Sequence, residues 1–296
     1  LKIKAAMDSV VQHISNALIL GGIYALVGIG LTIIVGIMRI INFTHGELYT
    51  LGAYTAFAFV SLIGGNFFVA LVLAMLIGAV VGAAIEFVLV RPMRDADIDS
   101  TMLVLIGAWI VMQNSENWAW GGYARSIPNP FPIKPIVIGP VALDPLRVFV
   151  FVMAVCFIFA AHFLIHHTRL GKSMRATFAD RDAAALMGIN INGIYTVTFA
   201  FGAALASVAG ALLGPVFVVT PTMGNLLTLK AFAIIILGGL GNFKGAAFGG
   251  FLLAFVEEFG ASYISSGYRD VMAFAVIILV LALRPTGLFT TADRIG

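Results

Sequence analysis

The stretch INFTHGELYT, Ile41 to Thr50, sets two ionisable residues, His45 and Glu47, around a glycine between two hydrophobic runs. A charge in that setting lies at a membrane surface or is kept inside for a purpose. Two local readings are open, and they are compatible. In one, a helix N-cap precedes a first turn in which Glu47 sits near the positive end of the dipole. In the other, the run RIINFTHG breaks a membrane helix. The side chains of Asn42 and Thr44 then satisfy exposed backbone groups, and the break lines a substrate path.

The rest of the chain decides the solvent. Of 296 residues, 61% are hydrophobic and only 10% are charged, whereas soluble domains carry about 25% charged residues. A mean hydropathy of +1.05 leaves too little polar surface for water, so the chain reads as an integral membrane protein. The 32 glycines agree, since membrane helices use glycine for close packing. The basic pI of about 9.1 does not point to nucleic acid, because the Lys and Arg residues form no dense patch. Cys156 is the single cysteine and lies in an apolar run, where it reads as a packing residue.

A spanning helix needs about 20 mostly apolar residues. Candidate runs are 10–37, 47–64, 67–90, 101–120, 147–166, 194–219, 226–240, 245–264 and 270–284. The first is expected to be a span rather than a cleavable signal. The fold expected is an all-α polytopic bundle of about eight transmembrane helices with broken or re-entrant segments, in a single domain, 1–296. Two short loops, RPMRDADID (91–99) and HHTRLGKSMRATFADRD (166–182), are rich in Arg and Lys and read as cytoplasmic. Residues 121–145 hold six of the ten prolines and read as an extended external loop. Counting spans backwards places the N-terminus outside, while Lys2 and Lys4 argue for inside. A re-entrant segment near 37–46 removes the conflict.

Small residues recur at four-residue spacing in three places: Gly78 and Gly82; Gly202, Ala206, Gly210 and Gly214; and Gly245 and Gly249. Such faces pack helices closely. NFTHGELYTLGAY and NFKGAAFGGF (242–251) look faintly alike, as internal repeats of transporters do. No P-loop, H-E-x-x-H, G-x-S-x-G or paired-carboxylate motif is present. Each ionisable side chain within an apolar run costs about 2.5–3.5 kcal/mol on insertion scales. Glu86, Glu116 and His162 lie near expected boundaries and read as interfacial. Glu257 and Glu258 lie well inside their run, where one of them is expected to face a wet cavity.

The loop TRLGKSMRATFADRDAAALMGIN (168–190) alternates charged with small and apolar residues. Its second part, RATFADRDAAALMGI, forms a short amphipathic helix on this reading, with Ala176, Ala183, Ala184, Leu186 and Met187 as its apolar surface. It either lies on the membrane or docks into a cytoplasmic partner.

Four stretches together carry a resemblance: YALVGIGLTIIVGIMRIINFTHGELYTLGAY, the loop 168–190, LKAFAIIILGGLGNFKGAAFGGFLLAFVEE, and ALRPTGLF. In this order, from about Gly22 to Phe289, they resemble the permease subunits of branched-chain amino acid ABC importers. Urea, amide and aromatic-acid importers use similar permeases. The resemblance implies a multi-pass protein of the bacterial inner membrane that is not itself an enzyme. It would pair with a second permease subunit, a related chain or a copy of itself, amid membrane lipid. Two cytoplasmic ATPases would bind ATP and Mg²⁺, so this chain holds no cofactor. A periplasmic binding protein would deliver the amino acid. Arg175, Ala176, Asp180, Ala184 and Gly188 match the family's coupling segment best. Asn42, His45, Glu47 and Glu257 would lie along the translocation path. Thr44 stands where many members have Ala, which bears little on function. A competing class, an ion-coupled secondary transporter, would use His45, Glu47 or Glu257 as its coupling site.

Overall fold

The computed structural model describes residues 2–94, 96–131, 134–138, 141–284 and 287–289. Its helices are α1 (Lys2–Met38), α2 (His45–Phe57), α3 (Phe67–Ile85), α4 (Ile98–Trp120), α5 (Pro145–His167), α6 (Arg169–Ala179), α7 (Arg181–Leu186), α8 (Ile191–Leu213), α9 (Met223–Gly238), α10 (Phe243–Tyr263) and α11 (Arg269–Leu283). In lipid every backbone polar group must be satisfied within a helix or a closed barrel, and apolar runs too long for barrel strands are therefore helical. The one departure from all-α among the described residues is a hairpin in the Pro-rich loop, where Ile136–Ile138 (β1) pairs antiparallel with Val141–Leu143 (β2).

Two faces organise the bundle. The basic face carries the 91–97 turn, α6 and α7, with Arg39, Arg94, Asp180 and Arg181 around one cavity. The proline face carries residues 121–144 and the segment after α8. These two are bridged backbone to backbone between Arg125 and Val219 at 2.8 and 2.7 Å. α1 begins at the proline face: Arg147, at the start of α5, donates to Asn16 Oδ1 at 3.1 Å, and Asn16 donates to Glu258 near the end of α10 at 3.0 Å. Geometry therefore sides with span parity and against Lys2 and Lys4.

The chain then folds as two halves of opposite sense. α1 descends from the proline face to the basic face, α2 rises from the interior, α3 descends and α4 rises. α8 rises, α9 descends from the interior, α10 rises and α11 descends. α5 lies between the halves. The expected set of about eight spans thus resolves into face-to-face helices plus the half-length α2 and α9. By length and composition alone, 4 helices can cross a membrane: 10–38, 67–93, 145–167 and 191–213.

The halves interlock through the small-residue stripes. Gly30 of α1 and Gly202 of α8 meet backbone to backbone, each lying where the other's Cβ would stand within 2.8 Å of a carbonyl oxygen. α3 crosses onto α8, with Gly78 against Ser207 and Gly82 against Ala203. Symmetrically, α10 crosses onto α1, with Gly250 against Tyr24 and Ala25. The helix caps set the internal likeness in a different register from the one expected. Asn242 corresponds to Asn66, not Asn42. Asn66 Oδ1 caps α3 by accepting from the Phe68 N–H, and Asn242 Oδ1 caps α10 by accepting from the Gly245 N–H. Counted from these caps, Ala70, Ala74, Gly78 and Gly82 correspond to Ala246, Gly250, Ala254 and Glu258, all of them buried.

Each of these two helices also carries a buried carboxylate towards its end, although the two are not at equivalent positions. Near the basic face, buried Glu86 binds Arg91, Arg94 and Thr196 of α8. Near the proline face, Glu258 binds Arg269, Asn16 and His13 of α1. Glu86 and Glu116 are 0% and 3% exposed, so neither is the interfacial residue expected. The carboxylate of Glu86 is retained inside because two guanidiniums neutralise it.

Candidate functional site

α1 ends at Met38, and the next residue, Arg39, has a φ of +55°, the left-handed geometry usually reserved for glycine. The chain turns back into the bundle over residues 40–44 and starts α2 at the depth of the middle of α1. Asn42 is fully buried, and its Oδ1 accepts from the Thr44 N–H at 3.0 Å and the Thr44 hydroxyl at 2.5 Å. Asn42 thus satisfies one backbone N–H of the break as the sequence suggests, whereas the Thr44 hydroxyl bonds to Asn42 instead of to the backbone. Thr44 is the N-cap residue by position but makes no side-chain cap bond. His45 bonds through Nε2 to the Val27 carbonyl at 3.0 Å, tying the new helix to the old one.

Glu47 lies in the first turn of α2 with no exposure. Its Oε1 accepts from the Trp109 indole N–H at 2.9 Å. The same N–H reaches Asn225 Oδ1 at 3.3 Å, and Gln113 donates to that oxygen at 2.7 Å. Asn225 belongs to the first turn of α9. α4 therefore holds the starts of both half-helices through one polar cluster. The carboxyl groups of Glu47 and Glu116 face each other, a pair that hydrogen-bonds when one of them holds the proton. Among the described residues the Tyr54 hydroxyl finds no hydrogen-bond partner, and a carboxyl pair inside the bundle makes this cluster a polar centre of the fold. Trp109, Gln113, Glu116 and Asn225 were not singled out together by sequence reasoning. Their spacing on α4 was a usable signal, since positions 109, 113 and 116 fall on one helix face.

Glu257 sits elsewhere. It is fully buried between α1, α9, α10 and α11. Lys230 Nζ lies 3.0 Å from each carboxylate oxygen, and the Tyr24 hydroxyl donates to Oε2 at 2.9 Å. Lys230 also meets Asp270 at 3.0 Å. The structure thus places Glu257 in a closed charge network, apart from Asn42, His45 and Glu47. Lys230 escaped the sequence reading because it stands alone inside an apolar run.

At the basic face, the expected amphipathic helix is two helices. Asp180 breaks it. Its carboxylate caps α7 by accepting from the N–H groups of Asp182 and Ala183 at 2.9 Å. Ala184 is turned inward at 4% exposure, whereas Leu186 and Met187 stand out at 88% and 84%. Gly188 ends the turn with φ +82°. Arg175 and Ala176 lie on the exposed side of α6, and Arg175 reaches back to the Ile165 carbonyl. Phe178 of α6 fits between Gly36, at the end of α1, and Gly241, at the turn from α9 to α10. Phe178 thus touches each half of the chain.

These features define a polytopic helical membrane protein with two interior half-helices and a protruding pair of surface helices. Residues 13–281 match the family described as branched-chain amino acid transport system / permease component. The chain belongs to this family. It is 36% identical over 291 residues to the high-affinity branched-chain amino acid transport system permease protein BraD of Pseudomonas aeruginosa, covering 94% of each chain. It is 34% identical over 291 residues to LivH of Escherichia coli K12, a permease protein of the same description, again with 94% of each covered. A more distant relative is the ribose import permease protein RbsC of E. coli K12, 26% identical over 294 residues with 92% of this chain and 85% of that one covered. No solved structure matched.

Proposed function

We propose that this chain is the membrane-spanning permease subunit of an ATP-driven importer of branched-chain amino acids. The likeness to BraD and LivH along nearly the whole chain carries the reading. The exposed Leu186–Met187 tip supports it, because an apolar knob on a capped helix suits the groove of another subunit. ATP and Mg²⁺ bind to two ATPase partners on the basic face, which is cytoplasmic by the charge of its loops. A second permease subunit, related or identical, completes the pore, and a binding protein delivers solute to the proline face of this inner-membrane assembly. Arg175, Ala176, Asp180, Ala184 and Gly188 belong to the segment that the ATPase moves. Asn42, His45 and Glu47 hold the break that lines the path, and Glu257 braces the helices around it.

The mechanism is a population shift. ATP closes the ATPase pair and displaces α6 and α7. Phe178 passes the displacement to α1 and to the α9–α10 turn, and the half-helices exchange between two packings. The nucleotide need only bind the two states with different affinity. This chain makes and breaks no covalent bond.

The test is uptake of labelled leucine by proteoliposomes holding the permease pair, the ATPases and the binding protein. Uptake is expected with internal ATP and absent when the permease chains alone are given a proton or sodium gradient. Gradient-driven uptake without the ATPases overturns the reading in favour of ion coupling. Import of urea, an amide or an aromatic acid in place of leucine overturns the substrate.

A further inference from the structure

We infer that the proline face of this subunit carries a binding pocket for a zwitterionic, branched aliphatic α-amino acid, lined by α1, α5, α10, α11 and the end of α8. The inference rests on the substrate reading above and adds a site within the permease itself. The cavity measures 210 Å³. That is room for one small molecule, against roughly 300–1,000 Å³ for drug-sized pockets.

Its polar groups are arranged for the two ends of an amino acid. Arg147 lies in the first turn of α5, whose end Asp144 caps by accepting from the Leu146 N–H, and Arg269 opens α11. Arg147 is half-buried and gives one N–H to Asn16 Oδ1 at 3.1 Å. Among the described residues it has no carboxylate partner, although Arg269, Lys230, Arg91 and Arg94 each have one. A half-buried guanidinium of this kind can take a carboxylate, which it holds with two parallel bonds. Glu258 stands in the same cavity. Its Oε2 accepts from Arg269 at 3.1 Å, and its Oε1 meets Asn16 at 3.0 Å and His13 Nδ1 at 3.2 Å. A carboxylate offers about four acceptor sites, so one site on Oε2 is left for an ammonium group. The remaining wall is apolar, from Ile19, Leu213, Val216 and Phe217, and suits an aliphatic side chain.

A phosphatidylethanolamine headgroup presents the same pairing of anion and ammonium. Two features favour the amino acid: the small volume, and an apolar wall in the same cavity as both charges. At this face the pocket would receive solute from the binding protein and hold it until the gate moves.

The experiment measures binding of tritiated L-leucine to the solubilised permease–ATPase assembly without the binding protein. Saturable binding is expected, displaced by valine and isoleucine. Isocaproate, which lacks the amine, and isoamylamine, which lacks the carboxylate, should displace it poorly. R147A removes the carboxylate anchor and V216W fills the cavity, and each should weaken binding by about tenfold or more. R147K should restore part of it. Elution profile and melting temperature verify that each variant is folded and assembled. The pocket reading is overturned by equal binding in R147A and V216W, by no saturable binding up to about 10 mM, or by leucine binding that disappears when phosphatidylethanolamine is added. ATP-driven leucine import by the complete assembly is measured in parallel. Import without pocket binding rejects the pocket alone, whereas an assembly that imports no branched-chain amino acid rejects the substrate reading.

Discussion

Gly46 and Gly224 lie backbone against backbone, each in the first turn of a half-length helix running away from the other. A Cβ on either would fall inside the other's carbonyl group. This contact fixes where the two halves of the chain meet in the interior. Replacing Gly224 or Gly46 by Ala puts a methyl against backbone that cannot rotate away. Overpacking typically costs about 1–3 kcal/mol, and an immovable obstacle puts these variants at the upper end. Gly107 is the control, because nothing lies within 4 Å of the Cβ it lacks. G107A should be neutral or gain up to about 1 kcal/mol in helix propensity. Melting curves of the purified subunit test this, and a G224A variant as stable as G107A rejects the contact.

Lys230 and Glu257 should be worth more together than apart. Removing Lys230 alone, as K230M, leaves a carboxylate with no exposure and no cation. Breaking a buried pair from one side typically costs about 3–5 kcal/mol. Replacing both, as K230M with E257L, removes the stranded charge and should recover much of that loss. A double-mutant cycle on denaturation midpoints is the measurement. Additive losses would mean that the two residues contribute separately.

Most of the bundle was legible in composition. An apolar run long enough to span a bilayer has one stable backbone form, so α1, α3, α5 and α8 follow from the sequence alone. The break at Asn42 was legible because a polar triplet interrupts two such runs. The second break was not. Residues 214–222 include Val216, Phe217, Val218 and Val219, and so read as a continuation of α8. Pro215 and Pro221 were the available signals. Lys230 and Glu116 were missed or misplaced for one reason: partners from distant helices decide whether a lone charge is interfacial or internal. Asp180 was legible in principle as an N-cap, being a short acidic side chain ahead of a run of alanines.

The basic face should show which residues meet the motor. Ala184 is buried, so a bulky residue there disturbs the subunit's own packing. Leu186 and Met187 are free to act on a partner. L186D with M187D should abolish co-purification of the ATPases or uncouple hydrolysis from uptake, while the subunit inserts and elutes as wild type. F178A should behave differently, keeping the ATPases bound but losing uptake, because the link to α1 and the α9–α10 turn is cut. Full leucine uptake by the aspartate pair rejects this face as the contact.

The opposed halves also make a topological prediction against the usual charge rule. Lys2 and Lys4 would ordinarily hold the start of α1 in the cytoplasm. The contacts of Asn16 with Arg147 and Glu258 place that end with the Pro-rich loop instead. The expectation is that the interlocked packing of α1 on α8 and α10 outweighs two charges near a helix end. Single cysteines at Val11, Ser265 and Leu186, in a C156S background, report the sides directly, since all three positions are exposed. With a membrane-impermeant maleimide on intact cells, Val11→Cys and Ser265→Cys should label, and Leu186→Cys should label only after permeabilisation. If positions 11 and 186 instead label from the same side, α1 does not run from the proline face to the basic face, and the inverted pairing of the halves is wrong.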